Sequence, residues 1–223
     1  MGFSLILHNH FKLTAMPRFL LLYILILCGA LPLRAGLIDS LFINAPQDVL
    51  PLLGHTERLD LLDLYDYRLK AEVENRLGGR SLLEHKDSCM LRLRVSDAES
   101  WEMHCVQGEG DRLLICLNSV RASGEMTRLS AYNLSWQPIK LAFPKPDCKH
   151  FLTAAPADSL TDADLSALHA LLPALPVAAS WQEGNRLQLR IDASALATDL
   201  RRAARLCLRP LTYEYRKGAF VLQ

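Results

Sequence analysis

Between residues 89 and 105 the chain alternates with period two, and this constrains its fold more than any other feature. Cys89, Leu91, Leu93 and Val95 are separated by Met90, Arg92 and Arg94, and Trp101, Met103 and Cys105 by Glu102 and His104. Successive side chains of a strand point to opposite faces, so the pattern predicts neighbouring antiparallel strands with one face buried and one in water. The wet face would carry Arg92, Arg94, Glu102 and His104, which are the candidate binding residues of the chain.

The pattern continues on both sides. Residues 71–77 alternate before Gly78-Gly79, residues 82–86 follow, and strands are expected at 113–120 and 127–134 beyond a turn at 107–111. Ahead of them, residues 37–53 read as a connection with a short helix. Thr56 is expected to cap a helix over 57–69, where Leu59, Leu61, Leu62, Leu64 and Tyr65 recur at helical spacing. Asp60 and Asp63 stand beside them as a solvated face rather than as an acid–base pair.

Pro144, Pro146 and Pro156 mark a break. Thr161 with Asp162 and Asp164 then reads as a helix N-terminus, with Leu165, Leu168, Leu172 and Leu175 as its stripe. Val177, Ala179 and Trp181 alternate, Glu183-Gly184-Asn185 turns the chain, and Leu187, Leu189 and Ile191 alternate again. Ser194 is expected to cap a second helix, and Leu211, Tyr213 and Tyr215 form a strand that Lys217-Gly218 turns towards Phe220. The fold class is therefore α+β: an antiparallel β-meander with an N-terminal helix, followed by a helix–hairpin–helix–strand unit. The expected divisions are 1–35, 36–143 and 144–223, the last two packed together as one body.

Residues 16–35 have the makeup of an export signal. Met16-Pro17-Arg18 gives a positive start, and residues 19–31 carry no charge. That run is shorter than the roughly 20 apolar residues a membrane-crossing helix needs. Cleavage is expected after Ala35, with translation starting at Met1 or at Met16, and the product is expected in the periplasm or outside the cell. It is not expected to be an integral membrane protein after cleavage. Cys28 is not expected to be lipidated, because Leu25-Ile26-Leu27 lacks small residues ahead of it.

Removing residues 1–35 takes away Lys12, Arg18 and Arg34 and no acid, leaving 22 basic residues against 24 acidic ones. That balance argues against nucleic acid as a partner. Five cysteines remain: Cys89, Cys105, Cys116, Cys148 and Cys207. None forms a Cys-x-x-Cys pair and their spacing fits no zinc-finger pattern, so no metal and no cofactor are expected. Cys105 and Cys116 flank a turn and would face each other across a hairpin in one of its registers, which sequence alone does not fix. The bland reading treats both as small apolar residues in strands.

The chain carries no Gly-x-Ser-x-Gly, His-Glu-x-x-His, phosphate-loop or dinucleotide fingerprint. Gly78-Gly79-Arg80-Ser81 lies between strands rather than ahead of a helix, so it reads as a tight turn and not as an anion cradle. Trp101, Trp136 and Trp181 read as core anchors before they read as a ligand groove. Two Asp-Ser-Leu triplets, ending at Leu41 and Leu160, make Ser40 and Ser159 candidate O-glycosylation positions.

The ordered residues Asn44-Ala45-Pro46, Leu50-Pro51-Leu52-Leu53, Arg58-Leu59-Asp60-Leu61-Leu62-Asp63 and Ala71-Glu72-Val73-Glu74-Asn75-Arg76-Leu77-Gly78-Gly79 resemble domain-of-unknown-function family 3256, exported proteins of Bacteroidales. Leu91-Arg92-Leu93, Ile115-Cys116 and Trp136-Gln137-Pro138-Ile139 extend the resemblance through the meander. Ser123-Gly124-Glu125 departs from the pattern, where members usually carry a proline. The resemblance implies a compartment and a lineage, and no functional residues.

Three functions remain open. One is a non-catalytic envelope protein that binds a protein, peptide or glycan through its wet sheet face. Another is a hydrolase whose site is assembled from distant groups such as His104, Asp111 or His169. The third is redox or metal work by the cysteines.

Overall fold

In the computed structural model the alternation at 89–105 becomes two neighbouring strands of a six-stranded antiparallel meander. The structure describes residues 36–108, 110–144, 146–153 and 160–223. The export segment at 16–35, the alternative start at Met16, the cleavage point at Ala35, Cys28 and Ser159 lie outside the described residues.

Two helices come first: α1 (Leu37–Ile43) and α2 (His55–Asp66). The first sheet follows as β1 (Glu72–Glu74), β2 (Arg80–Lys86), β3 (Met90–Arg94), β4 (Glu99–Gln107), β5 (Arg112–Arg121) and β6 (Glu125–Asn133), with each strand paired to the one before it. A 3-10 turn at Cys148–Phe151 leads to α3 (Asp162–Leu171), the hairpin β7 (Val177–Gln182) and β8 (Arg186–Ile191), α4 (Thr198–Cys207), β9 (Leu211–Arg216) and β10 (Ala219–Leu222). The last four strands form a second antiparallel sheet in the order β10-β9-β8-β7. The class is α+β, and residues 36–223 make a single compact unit.

The first face of the meander is covered by helices. Leu91, Leu93, Trp101, Met103, Leu114 and Cys116 pack there against Ile38, Leu41 and Phe42 of α1 and Leu61 and Leu62 of α2. Trp136 closes this core, stacking on Trp101 at 6.5 Å and donating its indole N–H to the Leu41 carbonyl at 3.1 Å. Tryptophan buries well only when that N–H finds an acceptor, which the end of α1 supplies.

Several local expectations need correction. Thr56 does not cap α2: the helix begins two residues earlier than expected, at His55, with Gly54 at the cap. The helix ends at Asp66 rather than 69, because Arg68 turns left-handed at φ 58. Of residues 71–77 only Glu72–Glu74 form strand. Asn75 leaves it and organises the turn, accepting from the backbone N–H of Leu77 and Gly79 and donating to the Val95 carbonyl at 3.1 Å. Gly78 takes a positive φ there, so the Asn-Arg-Leu-Gly-Gly stretch is a turn with a buried amide at its centre.

Ser194 does not cap α4. Its backbone N–H donates to Asp192 at 2.8 Å, and the helix starts later with Ala197 at the cap. Thr161 does cap α3, in a reciprocal pair with Asp164. Lys217 and Gly218 both take positive φ, as a two-residue hairpin turn between β9 and β10 requires.

The largest departure concerns the second face of the meander, which is not wet throughout. Val106, Leu113, Ile115 and Leu117 on that face pack against Leu187, Leu189, Leu211, Tyr213, Tyr215 and Phe220 of the second sheet. A third cluster lies between α3 and α4, built on Leu168, Leu172, Ala203, Ala204 and Cys207, and Ile191 and Leu208 join it to the second.

Candidate functional site

The second face of the meander divides along its length. At the β4–β5 turn end His104, Val106 and Ile115 are covered by the second sheet, while at the opposite end Arg92, Arg94, Ser100, Ser119 and Arg121 remain accessible. Strand register sets this up. Arg92 faces Glu102, Arg94 faces Ser100, Ser100 faces Ser119 and Arg121 faces Glu125, so the polar positions form one continuous patch across four strands.

The patch encloses a cleft of about 180 Å³ lined by Glu84, Arg92, Arg94, Ser100, Arg121 and Glu125, among others. Arg92 Nε donates to Glu102 at 2.8 Å. Arg94 stands 3.6 Å from Glu84 and Arg121 3.9 Å from Glu125. The latter two contacts are long for a charge-assisted hydrogen bond, and such exposed pairs contribute about 0 to 1 kcal/mol. Their guanidinium donors are therefore available to an incoming acceptor at little cost.

The second sheet reaches the rim of this cleft. Glu125 receives Arg190 at 2.6 Å, and its backbone N–H donates to Asp192 at 2.7 Å. Burial pushes the Asp192 carboxyl upward, but hydrogen bonds from the backbone of Glu125 and Ser194 hold it below its usual range. Thr127 binds the Ala179 backbone from both sides, accepting its N–H at 3.0 Å. Gly124 lies against Pro176, where a Cβ would come within 2.7 Å of the ring. The Ser123-Gly124-Glu125 turn is thus a docking point for the second sheet.

Glu102 and His104 mark the boundary between the open and covered parts. His104 is 5% exposed, its ring stacks on Trp181 of β7 at 5.0 Å, and its Nε2 lies 3.0 Å from Glu102. This corrects its placement on a wet face: Trp181 covers it. Burial raises the Glu102 carboxyl, but the His104 hydrogen bond and the Arg92 charge outweigh that and hold it below the usual carboxylate range. A carboxylate and a histidine in contact form part of a catalytic triad, but this imidazole has one face under an indole and lies within the interface between the two sheets.

The other groups considered for hydrolysis stand elsewhere. Asp111 lines a shallow cavity with Arg112 and Asn133, and His169 lines an apolar one of about 510 Å³ with Cys148, Leu152 and Leu172. Among the described residues no group of three or more histidine, cysteine or carboxylate side chains is arranged to hold a metal. No described helix is long and apolar enough to cross a membrane. Ser40 sits half-buried within α1, beside buried Leu41.

The alternation in sequence places Arg92 and Arg94 on the patch but does not reveal Arg121, Glu84 and Glu125. Cross-strand register is the missing information, since alternation identifies a face without saying which residues lie side by side on it.

The family model described as "Protein of unknown function (DUF3256)" matches residues 30–220. The chain belongs to this family. A solved domain of an uncharacterized protein from Porphyromonas gingivalis W83 is similar to this DUF3256 chain in fold, with a TM-score of 0.70 and 23% identity over 85% of this chain and 100% of that one. No curated protein matches the chain.

Proposed function

We propose that this DUF3256 protein is an exported, non-catalytic envelope protein that binds a protein, peptide or glycan partner in the cleft at the open end of its first sheet. The observation that carries this reading is the convergence of Arg92, Arg94 and Arg121 with Glu84 and Glu125 on one concave surface. Charges of both signs alternate across it, which suits a neutral polar or zwitterionic ligand better than a polyanion. The uncharged run at 19–31 behind Arg18 supports export.

The test compares the wild-type protein with an Arg94→Glu/Arg121→Glu variant for binding to peptide and glycan arrays and to envelope extracts. These two arginines are chosen because their present partners are distant, whereas Arg92 is tied to Glu102. Wild type should retain a ligand that the variant binds about tenfold more weakly or worse, the scale of a lost charged hydrogen bond. Equal binding by two equally stable proteins sinks the proposal.

A further inference from the structure

The register of β3 and β4 brings two cysteines together that are sixteen positions apart in sequence. Met90 faces His104 and Leu91 faces Met103, so one step beyond the strand Cys89 faces Cys105. The Cys105 backbone N–H donates to the Cys89 carbonyl at 2.7 Å, while the Cys89 N–H turns to the Asp87 carboxylate at 2.8 Å, so one ladder bond joins the two residues at the end of the strand pair. Opposed residues of an antiparallel pair have Cα atoms roughly 4.5 to 5.5 Å apart, inside the window of roughly 4.4 to 6.8 Å that a disulfide spans. Directly opposed residues of an antiparallel pair project to the same side of the sheet. By contrast, Cys105 faces Leu114 across the following hairpin and Cys116 faces Met103, so that hairpin does not set those two opposite each other.

We propose that Cys89 and Cys105 are a redox-active dithiol that closes to a cross-strand disulfide by exchange with an external disulfide. Cys89 is exposed and meets the oxidant first, whereas Cys105 is half-buried behind it. The Cys89 thiol loses its proton and attacks the external disulfide, giving a mixed disulfide and one released thiolate. Cys105, deprotonated in turn, attacks the Cys89 sulfur and releases the second thiolate. Two protein thiols are oxidised, one external disulfide is reduced to two thiols, and the two protons end on the released thiolates.

The other cysteines are placed differently. Cys116 is 3% exposed in the first core, and burial holds its thiol strongly protonated. Cys148 and Cys207 pack in the third cluster, the one in the 3-10 turn and the other at the end of α4, not on paired strands. Burial, with Asp87 nearby, also raises the Cys89 thiol, and burial raises Cys105 against the opposing Arg112 charge. The exchange should therefore quicken as pH rises from about 7 to 9, as the thiolate fraction grows.

The test uses the full chain, reduced and then exposed to oxidised glutathione at about pH 8, followed by alkylation and tryptic mapping without reductant. The expected result is a cross-linked species in which the peptide of residues 87–92 is joined to that of residues 95–112. Cys105→Ser should stop at a lasting glutathione adduct on Cys89. The proposal is overturned if both thiols remain alkylatable, if wild type accumulates only the adduct, or if the cross-link joins other cysteines. Because wild type itself provides the readout, the outcome stands even where a variant folds poorly.

Discussion

At the scale of single residues, Arg58 is the least ordinary member of the structure. It is 3% exposed on α2, and its guanidinium donates to the carbonyls of Ile43, Ala45, Leu50 and Leu53. Burial and the nearby Arg76 charge both lower its affinity for a proton, with Glu57 opposing them. A planar fork with five donors ties the loop between α1 and α2 to the second helix, a task the single ammonium of lysine does not reproduce. Arg58→Ala strands those carbonyls and should cost about 3 kcal/mol or more of stability, read as a lower midpoint in guanidinium denaturation; Arg58→Lys should rescue only part of it. A midpoint unchanged in both variants contradicts this role. The sequence points elsewhere, because a charged residue among leucines on an amphipathic helix reads as part of its solvated side. Asp60 and Asp63, read in that way, are indeed exposed. What separates Arg58 from them is a loop folded over it, and no periodicity within the helix carries that information.

At the scale of elements, β5 differs from its neighbours. Leu113, Leu114, Ile115, Cys116 and Leu117 are all buried, so this strand alternates between two cores rather than between core and water. A continuous apolar run is the mark of a strand covered on both faces. Leu114→Ala opens a cavity beneath the helices and Ile115→Ala one beneath the second sheet, and each should cost about 2 to 5 kcal/mol. Equilibrium denaturation of the two variants is the check, and a tolerant Ile115 would mean that the second sheet covers it only loosely. Most elements are legible in the sequence alone, since each strand of the meander announces itself by period or by bounding turns. The unbroken run at 113–117 is also visible there, and it is the available sign that the face bearing His104 is partly covered. The helix starts suggested by Thr56 and Ser194 are wrong: α2 already starts at His55, and Ser194 is drawn into the Asp192 turn ahead of α4.

At the scale of the whole molecule, the region from Gly36 to the end depends on contacts between its two sheets. Phe151, Tyr213, Tyr215 and Phe220 come from the C-terminal part and cover Val106, Ile115 and Leu117 of the meander. A chain ending at residue 143 should therefore aggregate or bind a hydrophobic dye, its second face being left bare to water. Sedimentation of that fragment is the check, and a soluble monomer with a cooperative unfolding transition would contradict it. The candidate cleft is only half legible in the sequence for the same reason: Arg92 and Arg94 belong to one strand, whereas Arg121, Glu125 and Arg190 join them through pairings that span two sheets. The wiring of those sheets also bears on time. Every hydrogen-bonded strand pair in both joins consecutive strands, the widest connection being the one that holds α4, so each pairing closes over a modest stretch of chain and forms readily. As the chain emerges from synthesis the meander can close first and the second sheet afterwards, which leaves the docking of one finished sheet on the other for last.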